Sequence, residues 1–298
     1  MNTEKPSPHA ATLLPYMSAQ AQGMVATQVA AVQVFWSRCA LEAHVQDYPF
    51  GLVFIFQGRK KGYLGERQFS YGAGDYLAVG LPIHFVCEAY VDDDAPLLGI
   101  FVHLDAADLS RLAARMIAAQ ALPPPSDHVG VEPLPITAPM DAVLARLLTV
   151  LHEPQAGAIL GPLYVRELCF HVLQQENSAV LLSHLNRATP KQRVAQTVAY
   201  LHTQMQQPPS TAELAQRAHM SVASFNRHFR AFTGNSVAQY SKTMRLMRAR
   251  HLLTVEGQNV QQTAEQIGYG STAQFSRDFK AFFGVPPKLA LRLSGGTL

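Results

Sequence analysis

The 298-residue sequence is poor in cysteine and in charge, and it holds no long apolar run. Its three cysteines, Cys39, Cys87 and Cys169, are odd in number and far apart, with no CxxC. That excludes a disulfide framework and a thiolate zinc finger, and the thiols are expected to be buried and reduced. Glycine and proline number 19 each, too few for a collagen-like or low-complexity chain. Charged residues are only 15% and hydrophobic residues 48%, the reverse of a disordered composition. No stretch reaches the roughly 18 unbroken apolar residues of a membrane span. Pro6 to Ser37 has no charged residue, but His9, Pro15, Gln20, Gln22, Gln28 and Gln33 interrupt it. It lacks the compact apolar run and basic start of a secretion signal. The expectation is a cytoplasmic chain without a membrane partner, in which residues 1–35 are a tail or one peripheral helix.

The length suggests about two domains. The net charge of +3 hides an asymmetry. Residues 1–186 hold 10 basic and 17 acidic residues, net −7, and residues 187–298 hold 14 basic and 4 acidic, net +10. A basic module joined to an acidic one suggests a polyanion-binding part attached to something else. Between Phe50 and Leu104, short runs rich in Val, Ile, Phe and Tyr alternate with turn residues. The runs are Leu52–Gln57, Lys60–Leu64, Gln68–Tyr71, Tyr76–Val79, Phe85–Tyr90 and Leu97–Leu104, with turns at Gly58, Gly65, Gly72–Asp75 and Asp92–Asp94. Such spacing predicts an antiparallel sandwich or small barrel. Helical periodicity then takes over at Ala107–Gln120, Ala138–Leu151 and Pro162–Gln175, with a loop at Pro123–Pro125 and a hinge at 176–190. The basic part reads as all helix.

An internal repeat is the most informative feature. FNRHFRAFTG at 225–234 and FSRDFKAFFG at 275–284 share six of ten positions. The offset of 50 residues is the size of a small helical subdomain, so two copies of one unit are expected. In the first copy, Ser210 and Glu213 form a capping-box pair, His219-Met220 turns the chain, and Ser221 caps a second helix that ends at Gly234. Val222, Phe225, Phe229 and Phe232 form its core stripe. In the second copy Asn259 caps, Gly268-Tyr269-Gly270 turns, Ser271 caps again, and Phe275, Phe279 and Phe282 form the stripe. Each copy is a helix-turn-helix. The intervening Ser236–Leu253 predicts a rod of roughly 27 Å, near the roughly 34 Å of one duplex turn.

Reading a base edge needs a side chain held on a rigid element in the major groove. Arg pairs with guanine, Asn or Gln with adenine, and Ser or Thr is permissive. Asn226, Arg227, Gln274, Ser276 and Arg277 are of those types on the second helix of each unit. Arg230, Arg245, Arg248 and Lys280 suit phosphate contacts, as do the helix N-termini at Ser221 and Ser271. Double-stranded DNA is therefore the expected partner.

ELAQRAHMSVASFNRHFRAFTG, QYSKTMRLMRARHLL and TAEQIGYGSTAQFSRDFKAFFGVPP together resemble the DNA-binding domain of AraC/XylS-type bacterial transcriptional regulators, over about residues 188–290. The resemblance implies two helix-turn-helix units, at about 210–234 and 259–284 within 188–298, joined by a long helix. It implies base contacts from Ala223, Asn226, Arg227, Thr272, Gln274, Ser276 and Arg277. His219 stands where the family commonly has glycine, and Val237 where it often has proline. GLVFIFQGRKKGYLGERQFSYGAGDYLAVGLP likewise resembles one branch of the family's N-terminal regulatory domain, over about residues 36–185. The overall expectation is an α+β chain: an N-terminal cupin-like antiparallel β-barrel with helices, then an all-α tandem helix-turn-helix domain. By the same resemblance it is an effector-controlled activator, a homodimer through the 138–185 helices, with RNA polymerase as a further partner.

Aromatic and histidine side chains of the barrel, Phe54, Phe56, Tyr63, Tyr76, His84, Phe85, Tyr90, Phe101 and His103, are candidates for a small-molecule site. A metal-dependent cupin-type enzyme is the rival class, but the barrel segment lacks the HxH, HxxxH and HExxH spacings that such chemistry needs. GxSxG is also absent, so no catalytic residue, metal or cofactor is expected. A constitutive DNA binder with a non-sensing front half is the third class.

Overall fold

A computed structural model describes residues 8–64, 67–91, 95–123, 130–175, 178–182, 190–204, 207–254 and 256–294. The turns expected at Gly65 and Asp92–Asp94, the loop beyond Pro123 and most of the 176–190 hinge lie outside them. The chain divides into two compact units, Met1–Ala195 and Gln196–Leu298.

Among the described residues the first unit has ten strands: β1 (Gln22–Ala26), β2 (Val32–Ser37), β3 (Leu41–Tyr48), β4 (Gly51–Gln57), β5 (Arg59–Leu64), β6 (Arg67–Gly72), β7 (Asp75–Val79), β8 (Ile83–Tyr90), β9 (Leu97–His103) and β10 (Val131–Pro135). They make a six-stranded sheet, ordered β1-β2-β9-β4-β7-β10, and a four-stranded sheet, ordered β3-β8-β5-β6. All strand pairs are antiparallel. The helices are α1 (Pro8–Leu13), α2 (Ala106–Ala118), α3 (Ala138–Val150), α4 (Pro154–Leu173) and the short α5 (Ala179–Leu182).

Residues 1–35 are thus not simply a tail or peripheral helix. Gln22–Ala26 and Val32–Ser37 form a hairpin, and β2 pairs with β9 along six residues. The alanines and glutamines of this stretch favour helix intrinsically, but sheet pairing overrides propensity. Strand β10 carries Pro133 and Pro135, which cannot donate to a ladder, and it sits at the sheet edge where proline is tolerated. Helix α4 starts eight residues before Pro162 rather than at it. Its Gly157 and Gly161 let the backbone approach Gln28 and Val29; a Cβ at Gly161 would lie 2.6 Å from Val29.

The central strands of the six-stranded sheet, β2, β9, β4 and β7, are buried on both faces. Val34, Trp36, Leu52, Phe54, Phe56, Tyr76, Ala78, Leu98, Ile100 and Val102 form one core with α1, α2, α3 and α4. The alternate residues turn the other way, and there Phe35 meets Lys60 of the four-stranded sheet. Two buried faces explain why β4 is apolar at nearly every position rather than alternating.

The second unit is helical: α6 (Pro190–Thr203), which enters from the first unit, then α7 (Thr211–Arg217), α8 (Val222–Thr233), α9 (Val237–Thr254), α10 (Val260–Gln266), α11 (Thr272–Phe283) and α12 (Pro287–Ser294). The duplication in sequence is a duplication in structure. Both α8 and α11 have 12 residues, a serine N-cap and a left-handed glycine C-cap with φ of 75°. Ser210 and Glu213 complete the capping box on α7, and Asn259 accepts from the Gln262 backbone on α10. Phe225, Phe229, Phe275 and Phe279 are wholly buried. Val222 leaves the expected stripe: at the first position of α8 it lies beyond the core and is 46% exposed.

Candidate nucleic-acid interface and effector region

On α8, Ala223, Asn226, Arg227 and Arg230 are exposed. On α11, Thr272, Gln274, Arg277 and Lys280 are exposed and Ser276 is half-buried. Buried Phe225 and Phe229 seat α8 and buried Phe275 and Phe279 seat α11, which leaves Ala223, Asn226, Arg227, Arg230, Gln274, Arg277 and Lys280 facing solvent. Arg227, Arg230, Arg277 and Lys280 form no ion pair among the described residues. Ser221 Oγ accepts from Ser224 N at 3.3 Å and Ser271 Oγ from Gln274 N at 3.4 Å, so both serines already cap their own helices.

The two turns differ. Gly268 takes φ of 77° at no steric cost, whereas His219 takes φ of 53° at the matching point of the first unit. A side chain in the left-handed region is strained. This is the consequence of histidine where glycine is the easier residue.

The rod between the units spends its charge internally. Lys242 Nζ donates to Asp278 Oδ1 at 2.8 Å, and Tyr269 Oη donates to Asp278 Oδ2 at 3.2 Å. The Lys242 bond holds the Asp278 carboxyl below its usual range. Arg245 stacks over Tyr269 at 4.9 Å, Arg248 pairs with Glu256 at 2.9 Å, and Arg250 lies over Phe283 at 5.4 Å. Arg245 and Arg248, the rod's candidates for phosphate contact, thus each also have a partner within the rod's own surroundings. Sequence reasoning missed Asp278, which replaces His228 of the first copy and ties α11 to α9; a lone acid in a basic repeat was its signal.

The effector candidates do not converge. Phe54, Phe56 and Tyr76 belong to the core beneath the helices, where His9 meets Phe56 edge-on at 5.4 Å. Tyr63 and Tyr90 lie on the outer face, both donating to Glu88. His84 is buried on β8, one residue out of step with Phe85. Phe85, Phe101 and His103 remain on the inner side, with His103 Nε2 3.0 Å from Gln33 Oε1 and its pKa lowered by burial. The strand register, which alternation alone could not fix, sorts them. A cavity of about 330 Å³ opens elsewhere, between the β1–β2 turn, α2 and α4, lined by Val29–Ala31, His103–Asp105, Asp108, Leu109, Leu112, Pro162, Leu163, Val165, Arg166 and Cys169; His103 alone of the candidates reaches it.

Cys87 and Cys169 are buried, and burial pushes the Cys169 thiol up to about 12. Cys39 is exposed, contrary to the expectation for all three. Among the described residues no three His, Cys, Asp or Glu side chains stand together as a metal site.

A sheet-and-helix unit joined to paired helix-turn-helix modules defines a regulator-type chain. The family described as AraC-type transcriptional regulator N-terminus matches residues 28–180, about half of the chain, and a helix-turn-helix domain family matches 214–292. The chain belongs to the AraC-type transcriptional regulators. It is 28% identical over 152 residues to the HTH-type transcriptional regulator GbdR of Pseudomonas aeruginosa, a match spanning 51% of this chain and 40% of GbdR. It is 27% identical over 154 residues to the activator RhaS of Escherichia fergusonii, spanning 48% of this chain and 51% of RhaS. The chain thus spans about half or less of these relatives. Apo ToxT K231A from Vibrio cholerae has the same fold, with a TM-score of 0.58 at 10% identity over 88% of this chain and 97% of that one.

Proposed function

We propose that this chain is a sequence-specific DNA-binding transcriptional regulator, an activator, whose N-terminal unit senses a small molecule. One observation carries the reading: α8 and α11 are matched, capped helices that present Asn226, Arg227, Gln274 and Arg277 to solvent on a unit of strong positive charge. Arg227 and Arg277 suit guanine, and Asn226 and Gln274 suit adenine. Arg230 and Lys280 position the helices on phosphate. The domains follow the charge boundary, with regulation in about 36–185 and DNA binding in 188–298. A ToxT structure holds an unsaturated fatty acid, so this fold is compatible with a small-molecule ligand.

Effector binding shifts the population between DNA-engaging and non-engaging arrangements. Homodimerisation uses α3 and α4, where Ile159, Leu160 and Leu163 form an exposed apolar stripe, 69%, 37% and 58% accessible. Recruitment of RNA polymerase and residence in the cytoplasm belong to the same reading, which assigns the chain no catalytic reaction. Binding-site selection from random duplexes is the test. Enrichment of one bipartite sequence supports the reading, and equal retention of all duplexes overturns it.

A further inference from the structure

We propose that the N-terminal unit is built to hold a small monocarboxylic acid, its carboxylate seated on the ammonium of Lys60 between the two sheets. This rests on the effector reading above and names the class of effector.

Three basic residues in a row, Arg59, Lys60 and Lys61, begin β5. Alternation turns the middle one inward, and Lys60 is only 4% exposed. Its Nζ donates to Gln46 Oε1 at 2.9 Å and to Tyr48 Oη at 3.3 Å. It lies 5.2 Å from the Phe35 ring centre and 5.6 Å from that of Tyr48. None of these partners is a carboxylate. Cys87, the nearby titratable thiol, is kept neutral because burial raises its pKa. Burial lowers the Lys60 pKa to about 8, which leaves it largely charged at neutral pH. A buried cation with neutral partners is costly, and a core that needed volume alone would be better served by Met or Leu.

The surroundings suit the head of an organic acid. An ammonium has three donors, and two are used. The Tyr48 and Tyr71 hydroxyls are 2.7 Å apart, and Tyr48 Oη is 3.2 Å from Cys87 Sγ, a polar chain whose hydroxyl protons can turn toward an anion. Phe85 stacks on Tyr48 at 4.5 Å, and Phe69 meets Phe85 edge-on at 5.4 Å, giving an apolar wall for the rest of the molecule. A single cation balances a single negative charge; a phosphate dianion would retain one unpaired. Because the Phe35 ring now packs on the ammonium, the acid replaces it at Nζ, which ties occupancy to β2.

The test is thermal unfolding of the full chain at pH 7 with straight-chain acids from acetate to decanoate, benzoate and phenylacetate, each against its primary amide. The expected result is that at least one acid raises Tm by several degrees while its amide does not. Lys60→Met and Lys60→Gln, checked by circular dichroism, lose that response, and Lys60→Met without acid melts at or above the wild type. Equal shifts from acid and amide, an undiminished response in the variants, silence across the acids, or failure of both variants to fold would each overturn the proposal. A shift from amides that does not depend on Lys60 would reject the acid while leaving a sensing unit, and selection of a DNA site stands or falls separately.

Discussion

Arg227 and Arg230 sit three residues apart on α8 and face the same solvent, yet their losses should differ. Arg227→Ala is expected to weaken the selected site by about 1–3 kcal/mol and to relax preference at particular base pairs. Arg230→Ala should weaken all duplexes alike and lower the slope of affinity against salt by about one. Fluorescence anisotropy on cognate and scrambled duplexes across a salt series separates them; equal loss on both duplexes for Arg227→Ala contradicts its base-reading role. His219 carries a different prediction. Relief of its left-handed strain in His219→Gly should stabilise the unit by about 1 kcal/mol, read by denaturant unfolding. The sequence made the caps and the exposed arginines legible, because Ser210, Glu213, Ser221, Asn259 and Ser271 act within their own turn. It did not disclose Asp278, whose partners Lys242 and Tyr269 lie 36 and 9 residues away.

The linker α9 anchors the second unit through buried contacts as well as surface pairs. Tyr240 meets Phe229 edge-on at 5.5 Å, and its hydroxyl is 3.0 Å from His202 Nε2. Burial lowers the His202 pKa to about 4, below the unfolded value of about 6.5. Its neutral form therefore favours folding. That contribution is full above pH 6.5 and is lost as pH falls toward 4, by up to ~3 kcal/mol. Hydrogen-exchange mass spectrometry, corrected for intrinsic rates, should show α9 protection falling between pH 7 and 5 in the wild type and changing less in His202→Gln. The strands taught a different lesson. In β4 both faces are buried, so the sequence does not show which face Phe54 and Phe56 join; Phe54 pairs with Ile100 of β9, Phe56 sits at the irregularity between Ile55 and Gln57, and both belong to the core on the helical side. The strands within residues 1–35 are not legible locally, because alanine and glutamine suit a helix when no partner strand is considered.

At the scale of the whole molecule, the acidic and basic parts of the sequence correspond closely to two compact units. The exposed stripe on α4 predicts self-association of the full chain. Ile159→Glu with Leu163→Glu should shift sedimentation toward the monomer and leave intrinsic binding by the second unit unchanged; a wild type that is monomeric at all concentrations contradicts the stripe's role. On the proposed function, α9, 18 residues and about 27 Å long, would set α8 and α11 to enter successive major grooves on one face of DNA. The most direct test of this central claim is affinity for the selected site with five base pairs inserted between its two halves. Five added pairs should abolish bipartite binding by rotating one half-site half a turn away, with a loss of about a hundredfold or more, and ten should abolish it as well, because a rod of about 27 Å cannot span a further roughly 34 Å of duplex. Undiminished affinity after the five-pair insertion would contradict the account.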